Sequence, residues 1–196
     1  YHHGDLRAAL LAEATAMITE GGVASVTMRA LGQRLGVSRA AAYRHFAGKT
    51  ALLVAVAANG FDRLSDRLQA TGADCKQSSG ERLRHLGEEY VLFALENPAQ
   101  YRLMYGKEAL ARNDLPELGK TAKALFDQFA DVIRSHQQSG ILKRQDPHAL
   151  AYVAWSAVHG LASLVIEGQI QGTDDIDGLI RLTTKTVLDG MRVRSR

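Results

Sequence analysis

Apolar residues recur at three- and four-residue spacing through nearly the whole chain, the pattern of amphipathic helices. Leu6, Leu10, Ala14, Met17 and Ile18 form the first stripe, with Asp5 at its opening and Gly21-Gly22 at its close. Thr27 is an N-cap candidate for a second helix, whose Leu31 and Leu35 share one face. Gly36 lies just past its end, where a left-handed residue is cheap only as glycine. Val37 turns inward and Ser38 is the next N-cap candidate. Ala42 and Phe46 then supply a buried stripe, leaving Arg39, Tyr43 and Arg44 on the outer side. A short helix that presents Arg and Tyr outward, braced by the helix before it, has the layout of a helix-turn-helix.

Lys49-Thr50 opens a longer helix that buries Leu53, Ala57, Phe61, Leu64 and Leu68 and turns Asp62, Arg63, Asp66 and Arg67 outward, with a bend expected at Asn59-Gly60. Thr71–Gly80 is the clearest break in composition. Glu81–Glu96 reads as a helix with Leu83, Leu86, Tyr90 and Phe93 on one side. Asn97-Pro98 restarts the chain as cap and first helical residue, and Gly106 stops it. Lys107–Leu115 is expected to be irregular. Pro116–Ser139 carries Leu118, Ala122, Leu125, Phe126, Phe129 and Ile133 in register, ended by Gly140. Asp146-Pro147 repeats the cap-plus-proline signal before a helix apolar on nearly every face to Ile166, which must be covered on all sides. The last helix is expected to start near Thr173-Asp174-Asp175 and to end in Arg192 and Arg194. Ile176, Leu179, Ile180, Val187 and Met191 line it, with Thr183 and Thr186 on the same face. No strand alternation interrupts this series. The expected fold is all-α with about nine helices. A three-helix domain over residues 1–60 is joined by a connecting helix to a helical domain over residues 61–196.

Charge changes the picture. The first 60 residues hold 6 Lys and Arg against 3 Asp and Glu, whereas the remaining 136 hold 18 of each. No Asp or Glu falls between Gly21 and Phe61, yet Arg29, Arg34, Arg39, Arg44 and Lys49 do. Such a surface attracts phosphate. A solvated basic face is the alternative on charge alone, and the helix-turn-helix layout favours DNA. Cys75 is the single cysteine, which allows no intrachain disulfide and no cysteine-based zinc site and fits a reducing cytoplasm. No signal peptide is expected. Nor is a membrane span, because Ser156, His159 and Ser163 interrupt the longest apolar run, Ala149–Ile166.

The sequence holds no Gly-rich phosphate loop, serine elbow, paired carboxylates in an apolar frame or metal cluster, so neither enzyme activity, cofactor nor metal is expected. His85 and Glu89 have ligand spacing, for which an exposed pair is the simpler reading. Tyr90, Phe93, Tyr101, Met104, Phe126, Phe129, Trp155 and His159 are candidates to line a ligand pocket. Each taken singly reads equally as core, but together they offer aromatic surface with a few polar tips. Trp155 and His159 are neighbours on one helix, and a histidine in so apolar a helix needs a partner, more simply a structural hydrogen bond than a metal.

With these residues in view, VTMRALGQRLGVSRAAAYRHFAGKTALL resembles the helix-turn-helix of TetR (tetracycline-repressor) family transcriptional regulators. AWSAVHGLASLVIEG, with Trp155, His159 and Gly160, resembles the WHG-type C-terminal domain of one branch, as does YHHGDLRAALL at the front. The resemblance implies a cytoplasmic homodimer on near-palindromic double-stranded operator DNA, with each recognition helix in a major groove. It also implies a small-molecule effector, largely apolar, bound in the C-terminal domain. Most such proteins are repressors released by their ligand; an activator or a corepressor system is the alternative. Carried over, Thr27 and Arg29 meet the DNA backbone, while Ser38, Arg39, Ala40 and Tyr43 face the groove. Arg44 and His45 lie at its edge and Lys49 holds a phosphate. The run Ala40-Ala41-Ala42 leaves Arg39 as the main candidate to read guanine, with Ala40 or Ala41 against a thymine methyl. The dimer face is expected on Ala149–Ile166 and Thr173–Met191, and the Lys49–Leu68 helix is the expected lever between domains.

Overall fold

A computed structural model of the chain describes residues 5–74, 79–105, 116–172 and 175–193. Among these, the chain forms nine helices: α1 (Leu6–Ser25), α2 (Met28–Leu35), α3 (Arg39–His45), α4 (Lys49–Asp74), α5 (Ser79–Glu96), α6 (Pro98–Tyr105), α7 (Pro116–Gln138), α8 (Pro147–Ile166) and α9 (Ile176–Met191). Local chemistry sets many of their ends. The side chains of Asp5, Thr27, Ser38, Asp146 and Asp175 each accept an amide hydrogen bond in the helix they open. Within α1 the backbone leaves helical geometry at Gly22, as the double glycine predicts. The expectations for Cys75, for an irregular 107–115, for a start at Thr173-Asp174 and for Arg194 lie outside the described residues.

The chain divides into two compact units, Tyr1–Asp62 with Asn97–Thr121, and Arg63–Glu96 with Ala122–Arg196. In the first, Leu10, Ala14, Met17, Ile18, Val26, Leu31, Leu52, Val56 and Phe61 are buried. Helix α6 belongs here too. The Gln100 amide donates to the Val56 carbonyl at 2.9 Å, and the Tyr105 ring meets Phe61 edge-on at 5.2 Å. Gly60 makes this packing possible: a Cβ there would come within 2.5 Å of Met104 Sδ and 3.1 Å of the Gln100 side chain. The glycine inside α4 thus answers a close approach that the local sequence does not reveal.

The second unit is built on Leu83, Ala130, Ile133, Leu142, Leu150, Ala151, Ala154, Leu188 and Met191. Chain 141–143 pairs with the end of α9, with Lys143 N–H on Met191 O at 2.9 Å and Val193 N–H on Ile141 O at 3.1 Å. Several expectations are corrected in this unit. Arg67 does not point to solvent: it donates to Glu89 at 2.5 Å and to Glu96 at 2.5 Å and 3.1 Å, tying α4 to α5. Leu68 is only half-buried. On α9 Ile180 and Met191 are buried as expected, but Thr184 and Leu188 complete the inward face, Ile176, Leu179 and Val187 are half-buried, and Thr186 is exposed. Thr184 is tolerated because its hydroxyl donates back to Ile180 O at 3.0 Å.

Within one chain, helix α8 is not covered on all sides. It buries Leu150, Ala151, Ala154, Val158, Leu161 and Ala162 but leaves Tyr152, Val153 and Leu164 exposed. At 20 residues it is long and apolar enough to cross a membrane, against expectation, because it holds no Asp, Glu, Lys or Arg to break the run. Its buried face is accounted for by packing against α5 and α9.

Candidate nucleic-acid interface and aromatic cluster

The helix-turn-helix is assembled from local bonds. Thr27 Oγ1 accepts Ala30 N–H at 3.1 Å to start α2. Gly36 ends it at φ 67°, ψ 26°, a left-handed conformation that side chains disfavour. Val37 N–H returns to Gly32 O at 2.9 Å, and Ser38 Oγ accepts Ala41 N–H at 3.1 Å to start α3. Ala41, Ala42 and Phe46 bury the inner side of α3. Arg39, Ala40, Tyr43, Arg44 and His45 are exposed on the other, and Lys49 is half-buried at the start of α4. Ala41 is therefore unable to meet a base, so Ala40 alone can offer a methyl-sized contact from the alanine run. Thr27, Arg29 and Ser38 are also exposed.

The arginines of this basic stretch differ in what surrounds them. Arg34 is held by two carboxylates of α1: its Nε pairs with Glu13, and its Nη atoms donate to both Glu20 oxygens at 2.6 Å and 3.0 Å. The hydrogen bond from Arg34 holds the Glu20 carboxyl below the usual carboxylate range, and the same bond pushes the Arg34 guanidinium up. Its charge is thus spent within the domain. Arg39 has no such partner among the described residues. Its guanidinium carbon lies 5.2 Å from the Tyr43 ring centroid, and its Nη2 donates to the Tyr43 hydroxyl at 3.3 Å. Sequence reasoning missed Arg7, whose guanidinium lies 5.3 Å from the centroid of Phe46, the residue that caps α3. No spacing signal connects positions so far apart.

The eight pocket candidates divide. Tyr101 and Met104 are buried on α6 in the first unit. Tyr90, Phe93, Phe126, Phe129, Trp155 and His159 lie in the second. Three of these join: Trp155 Nε1–H donates to the Tyr90 hydroxyl at 3.0 Å, and that hydroxyl bonds His159 Nδ1 at 3.1 Å. The partner that His159 requires is therefore a phenol. Phe126 packs edge-on to Trp155 at 6.0 Å and against Tyr152 at 4.3 Å. Phe129 lines a small apolar hollow with Leu83, Ala154, Val158 and Thr184. Phe93 lies under the Arg63 guanidinium at 5.7 Å. Glu89, the expected counterpart of His85, instead pairs with Arg67. Among the described residues no three His, Cys, Asp or Glu side chains are placed to hold a metal ion.

A glycine turn between two short helices, with a bare, basic outer face on the second, defines a helix-turn-helix DNA-binding protein. The chain belongs to the TetR family of bacterial transcriptional regulators. Residues 10–56 match the family's regulatory-protein domain, and residues 83–187 match its tetracyclin repressor-like C-terminal domain. It is accordingly a DNA-binding transcriptional regulator, of a family of regulators rather than enzymes. A curated relative, the uncharacterized HTH-type transcriptional regulator YobS of Bacillus subtilis (strain 168), is 22% identical over 95% of this chain and 93% of its own length. A protein of unknown function from Rhodococcus sp. RHA1 has a solved structure with a TM-score of 0.89 and 30% identity, covering 98% of both chains. A TetR/AcrR family regulator from Thermobifida fusca YX-ER1 shares the fold at a TM-score of 0.74 and 22% identity, over 97% of this chain and 100% of that one.

Proposed function

We propose that the protein is a cytoplasmic, homodimeric repressor that leaves a near-palindromic operator when an apolar small molecule binds its C-terminal half. The observation that carries the DNA reading is the outer face of α3, where Arg39, Tyr43, Arg44 and His45 are exposed with no carboxylate from Gly21 to Phe61. In this reading residues 1–60 bind DNA, and residues 61–196 bind ligand and dimerise. Arg39 reads guanine, Ala40 touches a thymine methyl, and Ser38 and Tyr43 complete the groove side. Arg44 and His45 lie at the groove edge, and Thr27, Arg29 and Lys49 fix the register on phosphates. Two such helices about 34 Å apart meet successive major grooves.

The Tyr90–Trp155–His159 network with Phe126 and Phe129 supports an effector site that is aromatic with few polar groups. Tyr152, Val153 and Leu164 on α8 and Leu182 on α9 supply uncovered apolar surface for a second copy. Ligand need only favour a dimer whose recognition helices are wrongly spaced, and α4, which runs through the division between units, is the element to carry that shift.

Footprinting on the DNA upstream of the protein's own gene tests this reading. A protected near-palindrome is expected, and its protection should fade when uncharged aromatic or aliphatic compounds that raise the protein's Tm are added. Tighter protection with those compounds would make the system a corepressor one, and an absence of protection would overturn the operator reading.

A further inference from the structure

The Arg39–Tyr43 pair carries one step more. Arg39 occupies the first helical position of α3, where the exposed amides present positive potential and a cation is disfavoured. Elsewhere in this basic stretch the chain holds a guanidinium with carboxylates, as at Arg34 in the last turn of α2. At Arg39 it does not. The neighbour one turn on is Tyr43, on the same face at i+4, and the guanidinium lies over that ring with one N–H on the phenol oxygen. The arrangement holds the charge without neutralising it. It takes one N–H of five, and because Nη2 carries a second N–H, one forked edge of the guanidinium, Nη2 with Nη1 or with Nε, can still donate as a pair to the O6 and N7 of a guanine. An arginine on an otherwise bare helix, beside Ala40, would sample many rotamers and lose that freedom on meeting a base.

We infer that Tyr43 is a positioning residue for Arg39: it fixes the guanidinium over its ring in advance, and so sets discrimination at the base pair Arg39 reads rather than overall affinity. This inference rests on the reading of Arg39 as the guanine reader. A phosphate contact by Tyr43 would strengthen binding to any DNA alike. A positioning role is instead confined to one base pair and vanishes when Arg39 is absent.

The test uses the full chain and a duplex selected by it from a randomised DNA pool, with single-base-pair variants of that duplex and a random duplex as probes at one fixed salt concentration. Tyr43→Leu should reduce discrimination at one G·C pair by about three- to fivefold, the size expected of an exposed cation–π contact. Affinity for the random duplex should change by less than that. Tyr43→Phe, which keeps the ring and loses the hydroxyl, should retain most of the discrimination. In an Arg39→Ala background, Tyr43→Leu should cause no further loss at that pair. Tyr43 is 40% exposed, so the variants should fold, and an unchanged Tm verifies it. Equal losses on selected and random DNA, or additive losses in the double variant, would overturn the positioning role while leaving Arg39 as reader. If Arg39→Ala itself leaves discrimination intact, the reader assignment fails and the positioning role falls with it.

Discussion

Arg34 and Arg39 stand five residues apart in a run without a carboxylate, and they end in opposite environments. Arg34 reaches back to Glu13 and Glu20 on α1, so it joins two helices of the DNA-binding unit. Arg39 keeps its charge and rests on an aromatic ring. Replacing Arg34 with Ala should therefore lower Tm and leave the salt dependence of DNA binding nearly unchanged. Arg44→Ala or Lys49→Ala should instead reduce the slope of log affinity against log salt by about one unit for each phosphate no longer neutralised. Thermal melts and salt titrations of the variants check both. At this scale the caps at Thr27 and Ser38 and the left-handed Gly36 are legible in the sequence, because each depends on residues within three positions. The fate of Arg34 is not, since its partners lie 14 and 21 positions away. Ala41 escapes sequence reasoning for a related reason: in a run of three alanines, composition does not say which methyl faces inward.

Between elements, the chain relies on a few charged ties. Arg67 fastens α4 to α5 through Glu89 and Glu96, and its hydrogen bond holds the Glu96 carboxyl below the usual carboxylate range, as Arg34 does for Glu20. A carboxyl whose folded pKa is depressed contributes stability at neutral pH, and that contribution is lost as pH falls through its folded value. The Tm should accordingly hold steady from neutral pH to the top of the ordinary carboxylate range and fall below it. Arg67→Ala should lower the neutral plateau and flatten part of the acid fall, as read by melts across pH. Helix existence and most ends are legible from stripes and caps. Packing partners are not. Two adjacent stripes on α9 are both plausible by spacing, and only contact with α5 and α8 selects Ile180, Thr184 and Leu188. The close approach that Gly60 allows is not legible either, because its neighbours lie on α6, some forty residues further along the chain.

For the molecule as a whole, the apolar character of α8 is plain in the sequence, and its meaning changes once part of it is found uncovered. Val153 at 59% and Leu182 at 61% exposure contribute nothing to the core of their own chain. The double variant Val153→Asp, Leu182→Asp should thus remain folded, with a Tm lowered only by the loss of the partner's stabilisation and no longer dependent on protein concentration. It should sediment as a monomer at micromolar concentration and lose operator affinity. An unchanged dimer would place the interface elsewhere. The eight aromatic and sulfur-bearing candidates are legible as a group but not as one site. Periodicity puts all of them on inward faces, while the contacts send Tyr101 and Met104 to one unit and join Tyr90, Trp155 and His159 in the other.

The most direct test of sequence-specific regulation is a competition titration of the full chain between its selected duplex and random DNA at physiological salt. A specificity ratio of about 10³ or more, with two chains bound per duplex, is the expected result for a dimer reading two half-sites. A ratio near one would contradict the account and leave only a basic helical surface that holds DNA of any sequence.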